Sequence, residues 1–113
     1  SAIINFDKIK PNKSKKYLLL GDMLELGKYS KTLHQSIGKI INKTKIDKVF
    51  VKGHDVLFTF NSISKFKRGR ILNDNSEIIN LIKNDLNNND YLMVKASNAT
   101  GFNMIVSRMK SLR

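Results

Sequence analysis

Cysteine is absent from this chain and histidine occurs only twice. Without a thiol, neither a disulfide framework nor a thiolate metal site can form, and His34 and His54 lie too far apart in sequence to suggest structural zinc. No run approaches the ~20 apolar residues of a membrane helix. The basic-then-apolar pattern of a signal peptide is also missing at the N-terminus. The chain is therefore expected to be soluble and cytoplasmic. No Gly-x-Ser-x-Gly turn or other nucleophile, base and orienter set can be assembled. A Walker A loop is excluded as well. Five residues separate Gly21 from Gly27 and Tyr29 follows Lys28, whereas the phosphate cradle needs four and then Ser or Thr after the lysine. Asp22 and Glu25 inside that loop would repel a polyphosphate.

Acidic residues are scarce, 9 against 21 lysines and arginines, for a formal net charge of +12. Such a balance often marks a nucleic-acid or anionic-surface partner. Here the lysines are scattered beside abundant Asn and Ile, the trio that drift toward AT-rich codons produces, so a solvated surface is expected instead. Only Lys13-Ser14-Lys15-Lys16 and Lys65-Phe66-Lys67-Arg68-Gly69-Arg70 are dense, and both fall in expected connections. A small basic α/β module binding nucleic acid through the second cluster is the alternative reading.

What is present is a strand and helix alternation that suits one domain over residues 1–113. Tyr17–Leu20, Lys48–Val51, Arg70–Leu72 and Tyr91–Val94 read as short strands, the first a continuous apolar run typical of a strand buried on both faces. Helices are expected from Ser30, as cap, to about Lys43, from Val56 to about Ile63, after the capping box of Asp74 and Glu77, and from Phe102 to Leu112. Ala2–Lys10 suggests one more. Four repeats of the alternation predict an α/β, Rossmann-like doubly wound domain with a mainly parallel sheet and helices on both faces.

In such sheets ligands bind beyond the carboxyl ends of the strands. That rim holds Gly21–Gly27, Lys52-Gly53-His54, Asn73-Asp74-Asn75 and Lys95–Gly101. Lys95, Ser97 and Asn98 place an ammonium, a hydroxyl and an amide between a buried strand and an expected helix N-terminus, which suits a carboxylate or phosphate, or simply caps a helix. Asp22 and Glu25 could position a cation or substrate amine, or bind backbone amides of their own loop. His34 reads as a packed histidine.

LGDMLELG (residues 20–27), the pairs Leu33-His34 and Ile37-Gly38, Val51-Lys52-Gly53, and Asp90-Tyr91 leading to Lys95 and the Ser97 loop together resemble the C-terminal domain of the Mur ligases, over roughly residues 15–110. The resemblance implies ATP-dependent amide formation, in which an acyl phosphate of UDP-N-acetylmuramoyl-tripeptide is attacked by the amine of D-alanyl-D-alanine. It implies that Lys95, Ser97 and Asn98 serve the dipeptide carboxylate, while Asp22 and Glu25 lie on the loop facing the closed cleft. Ala96 stands where the family has glycine. The P-loop, the magnesium-binding residues and the Asn-Ala-Asn-Pro segment of the family are not in this chain. ATP and Mg2+ are thus expected to belong to the full-length enzyme and not to this fragment. The chain is expected to be an excised, monomeric domain, inactive without its N-terminal and central domains, with Ser1-Ala2 as an added remnant.

Overall fold

The computed structural model describes residues 2–9, 14–24, 26–87 and 89–95, and the backbone of 104–106. Five strands, β1 (Lys16–Gly21), β2 (Lys48–Lys52), β3 (Arg68–Ile71), β4 (Tyr91–Lys95) and β5 (Met104–Val106), form one sheet in the order β3-β2-β1-β4-β5. β1 to β4 are all parallel. The expected doubly wound α/β architecture is what the chain adopts.

Side-chain alternation explains why the strands read as unbroken apolar runs. Leu18, Leu20, Val49, Val51 and Met93 face one core, whereas Tyr17, Leu19, Phe50, Leu92 and Val94 face another. A strand covered on both sides has no polar face to show. The first core is closed by α1 (Ala2–Asp7), α2 (Ser30–Asn42) and α3 (Val56–Ser62), through Ile3, Phe6, Ile41, Val56 and Phe60. The second is closed by α4 (Asn75–Asn80) and the wider turn that follows it, Leu81–Asp85, through Leu81 and Leu86. Each fully buried Leu, Ile or Phe stabilises by roughly 1.5–3 kcal/mol.

Gly38 sets the approach of α2 to α3. A Cβ placed on it would lie 2.7 Å from Ser62 Cβ and 3.0 Å from the Thr59 carbonyl. Asp74 caps α4 as expected, its Oδ1 accepting from Glu77 N–H at 3.1 Å, while the returning Glu77 Oε2 accepts from Asn73 N–H at 2.6 Å, one residue before the cap. Ser30, by contrast, does not cap α2. A short 3₁₀ turn, Gly27–Tyr29, leads into the helix, and the Ser30 hydroxyl turns away to Asp55.

The expected helix over Phe102–Leu112 is corrected at residues 104–106, which form β5, antiparallel to β4. β4 would otherwise leave a row of backbone donors and acceptors open, and the β-branched Ile105 and Val106 suit a strand. Among the described residues no helix is long and apolar enough to cross a membrane.

At the amino ends of the strands, lysines bond main-chain carbonyls. Lys16 Nζ donates to the Asp7 carbonyl and, at 3.2 Å, to its carboxylate. Lys67 Nζ donates to the Thr44 and Ile46 carbonyls, both at 2.8 Å, and Lys48 Nζ to that of Phe66 at 2.7 Å.

Candidate functional site

β1 is the strand about which the sheet order reverses. The chain winds outward from it to β2 and β3, then returns to its other side as β4. In open parallel sheets a crevice forms at the carboxyl ends of the two strands flanking that reversal. Here those ends are Leu20-Gly21 and Lys95, with Leu20 aligned to Lys95 and Gly21 to Lys52 of β2. Lys95 also lines a small apolar cavity with Gly21, Met23 and His34. At about 20 Å³ that cavity has room for little more than one water, so a ligand of the rim would lie on its open side.

Both oxygens of Asp22 are engaged by main-chain donors. Oδ2 accepts from His54 N–H at 3.0 Å and Oδ1 from Val56 N–H at 2.7 Å. Asp55, at the N-cap of α3, makes no side-chain cap of its own, so the Asp22 carboxylate supplies one from another loop. Gly53 permits this approach. Its φ is +144°, and a Cβ there would sit 2.6 Å from Asp22 Oδ1.

The two loops are joined a second time through Ser30, whose hydroxyl donates to Asp55 Oδ2 at 2.6 Å and lies 3.2 Å from His34 Nδ1. His34 is 1% exposed. Its Nδ1 donates to the Ser30 carbonyl at 2.8 Å and its Nε2 accepts from Met23 N–H at 3.2 Å, which assigns the ring proton to Nδ1. Thr59 Oγ1 donates to the His34 carbonyl at 2.6 Å and ties α3 to α2. On the outer face, His54 Nδ1 meets Asp55 Oδ1 at 2.8 Å. That hydrogen bond, and then the carboxylate charge, raise the His54 pKa above its ordinary 6.5. Hydrogen bonds from Ser30 and then His54 lower that of Asp55.

With this geometry in hand, two curated proteins align along most of the chain. The UDP-N-acetylmuramoyl-tripeptide–D-alanyl-D-alanine ligase of Bacillus subtilis is 32% identical over 95 residues, which cover 81% of this chain and 21% of the ligase. The enzyme of the same name from Synechocystis sp. is 28% identical over 113 residues, 96% of this chain and 24% of that protein. This chain resembles a segment of a Mur ligase. It spans about a quarter or less of the relatives it matches. No protein-family model matches it.

In this Mur-ligase-like segment the structure brings Lys95 and Asp22 to one rim, Lys95 at the end of β4 and Asp22 just past β1. Ser97, Asn98, Ala96 and Glu25 lie outside the described residues. Asp22 binds backbone amides, as one of its two readings had it, although those of the β2–α3 loop rather than of its own. The Ser30–Asp55 link was not foreseen. Neither residue carries a local signal for it, since the partners are 25 positions apart.

The basic cluster that carried the nucleic-acid alternative is largely engaged within the fold. Lys67 is buried against carbonyls, Arg70 pairs with Asp85 at 2.6 Å, and Arg68 donates to the Asn61 carbonyl while lying over Phe60. Phe66 stays 72% exposed.

Proposed function

We propose that this chain is the C-terminal domain of an ATP-dependent amide ligase of peptidoglycan precursor synthesis. In this reading it presents D-alanyl-D-alanine to the activated carboxyl of UDP-N-acetylmuramoyl-tripeptide. The observation that carries the reading is the alignment with two such ligases over 81% and 96% of the chain. The position of Lys95 beside the reversal point of the sheet supports it, because an ammonium there can pair with a dipeptide carboxylate. Ser97 and Asn98 would add hydrogen bonds to the same carboxylate. Asp22 would act by shaping the rim, since its oxygens already hold His54 and Val56 N–H, and Glu25 would lie on the loop facing the cleft.

The loop after β1 departs from a Walker A phosphate cradle, and among the described residues there is no group of three or more His, Cys, Asp or Glu placed for a metal ion. In this reading ATP and Mg2+ are held mainly by the N-terminal and central domains of a longer cytoplasmic chain. Alone, the fragment is a monomer that turns over nothing.

Steady-state kinetics of the full-length ligase test this. Ser97→Ala removes one hydrogen bond to a charged group, worth about 1.5–3 kcal/mol, and should raise the KM for D-alanyl-D-alanine roughly 10-fold to 150-fold. The KM for ATP should move far less. Unchanged dipeptide kinetics in both Ser97→Ala and Lys95→Met would remove this rim from the dipeptide site.

A further inference from the structure

We propose that His34 is a positioning residue of the carboxyl rim, its imidazole locking the β1–α2 and β2–α3 loops into one unit. The proposal rests on the reading of that rim as the dipeptide-binding edge. The hydrogen bonds form a closed circuit. Met23 N–H donates to His34, the His34 ring meets Ser30, and Ser30 donates to Asp55. Asp55 is followed by Val56, whose N–H donates to Asp22, and Asp22 is bonded covalently to Met23. Each loop is thus held at two points, and the rigid first turn of α2, from Ser30 to His34, forms one side of the frame.

Imidazole suits the place because it offers a donor and an acceptor on opposite parts of one flat ring that packs inside the core. An apolar ring of similar size would leave Met23 N–H and the Ser30 carbonyl without these partners. Nearby charges are Asp22 and Asp55 within the circuit and Lys95, which lines the same cavity as the ring. A shift of Met23 therefore moves the floor beside Lys95. The ring itself is 1% exposed and touches no open surface, so its influence on a ligand runs through the loop.

The test compares His34→Phe, His34→Gln and Ser30→Ala, both in this chain and in the full-length ligase. In this chain, amide hydrogen exchange should quicken about 10-fold or more at Met23, His54 and Val56 in His34→Phe, while core amides such as Val49 and Leu92 keep their rates. His34→Gln, whose amide oxygen can stand in for Nε2, should restore protection at Met23. Ser30→Ala should loosen His54 and Val56 while sparing Met23. In the full-length ligase, His34→Phe should raise the KM for D-alanyl-D-alanine about 10-fold with the KM for ATP unchanged. Unaltered exchange at Met23 and Val56 in a folded His34→Phe chain overturns the latch. If His34→Phe does not fold, unaltered exchange at His54 and Val56 in Ser30→Ala overturns it equally. Loosened amides with unchanged dipeptide kinetics overturn the positioning role. A null result for Lys95→Met and Ser97→Ala counts against the dipeptide reading and leaves the exchange result standing.

Discussion

Replacing Asp22 by alanine removes the acceptor of two main-chain hydrogen bonds, from His54 and Val56 N–H. One of them, 2.7 Å from Val56 N–H, satisfies a free donor at the first turn of α3. A hydrogen bond to a charged acceptor is worth about 1.5–3 kcal/mol, and loss of an N-cap costs about 0.5–2 kcal/mol. Because Asp22 is half-buried and His54 exposed, water compensates part of the loss, and the pair together should contribute about 2 kcal/mol. With a urea slope of about 1.5 kcal/mol per molar, the denaturation midpoint should fall by roughly 1.3 M at unchanged slope. Asp22→Asn retains one acceptor and should cost about half as much. A crossed substitution sharpens the test. Gly53→Ala meets the Asp22 carboxylate at 2.6 Å as well as an unfavourable φ of +144°, so it should cost less once Asp22 is alanine. A midpoint shift below about 0.3 M for Asp22→Ala, or strict additivity with Gly53→Ala, would refute the clamp.

Gly38→Ala gains about 1 kcal/mol in helix propensity yet inserts a methyl 2.7 Å from Ser62 Cβ, an overpacking cost of about 1–3 kcal/mol, so we expect net destabilisation that Ser62→Gly partly relieves in urea titrations. Asp7 should contribute to acid sensitivity. Burial raises its pKa, but the Lys45 N–H, the hydrogen bond from Lys16 and the Lys16 charge together hold it below 3.8. Its stabilisation is then complete above the unfolded value and lost as pH falls through the lower folded value, so Asp7→Asn should flatten the fall in urea midpoint below about pH 4. His54 is the opposite case. Raised above 6.5, it stabilises below that pH and ceases to as pH climbs through its folded value. Its ring resonance should titrate above 6.5, and Asp55→Asn should bring the midpoint down, an effect whose absence would dissolve the pair.

Local signals carried most of the fold. Tyr17–Leu20 could be read as a doubly covered strand, and Lys48–Val51 as a strand beside it, because every second residue is needed by a different core. Asp74 and Glu77 announced α4 because a capping box closes within four residues. The last segment misled because Phe102, Ile105, Val106, Met109 and Leu112 match a helical stripe, whereas the open edge of β4 decides what 104–106 become, and that edge is invisible to periodicity. The site was half legible. Lys95 could be placed on the rim from the end of its strand, yet the bonds from Asp22 to His54 and Val56 and from His34 to Met23 join residues 11 to 34 positions apart, and nothing local in Ser30 or Asp55 predicts their meeting.

The lysines seated on main-chain carbonyls at the amino ends of the strands divide the amines of this molecule into two populations. Lys16 and Lys67 are each 5% exposed, their ammonium groups held against Asp7 and against Thr44 and Ile46. An acylating reagent in the solvent should modify the surface lysines quickly and leave these two unmodified. Burial lowers the pKa of Lys67, a shift that lasts only while the amine is covered, so its protection from the reagent rests on access to the Nζ atom. A label arriving at Lys67 would thus mark the moment at which the 44–47 turn lifts from the sheet. The chain carries its own chemical clock for that opening, on the side away from the carboxyl rim of the sheet.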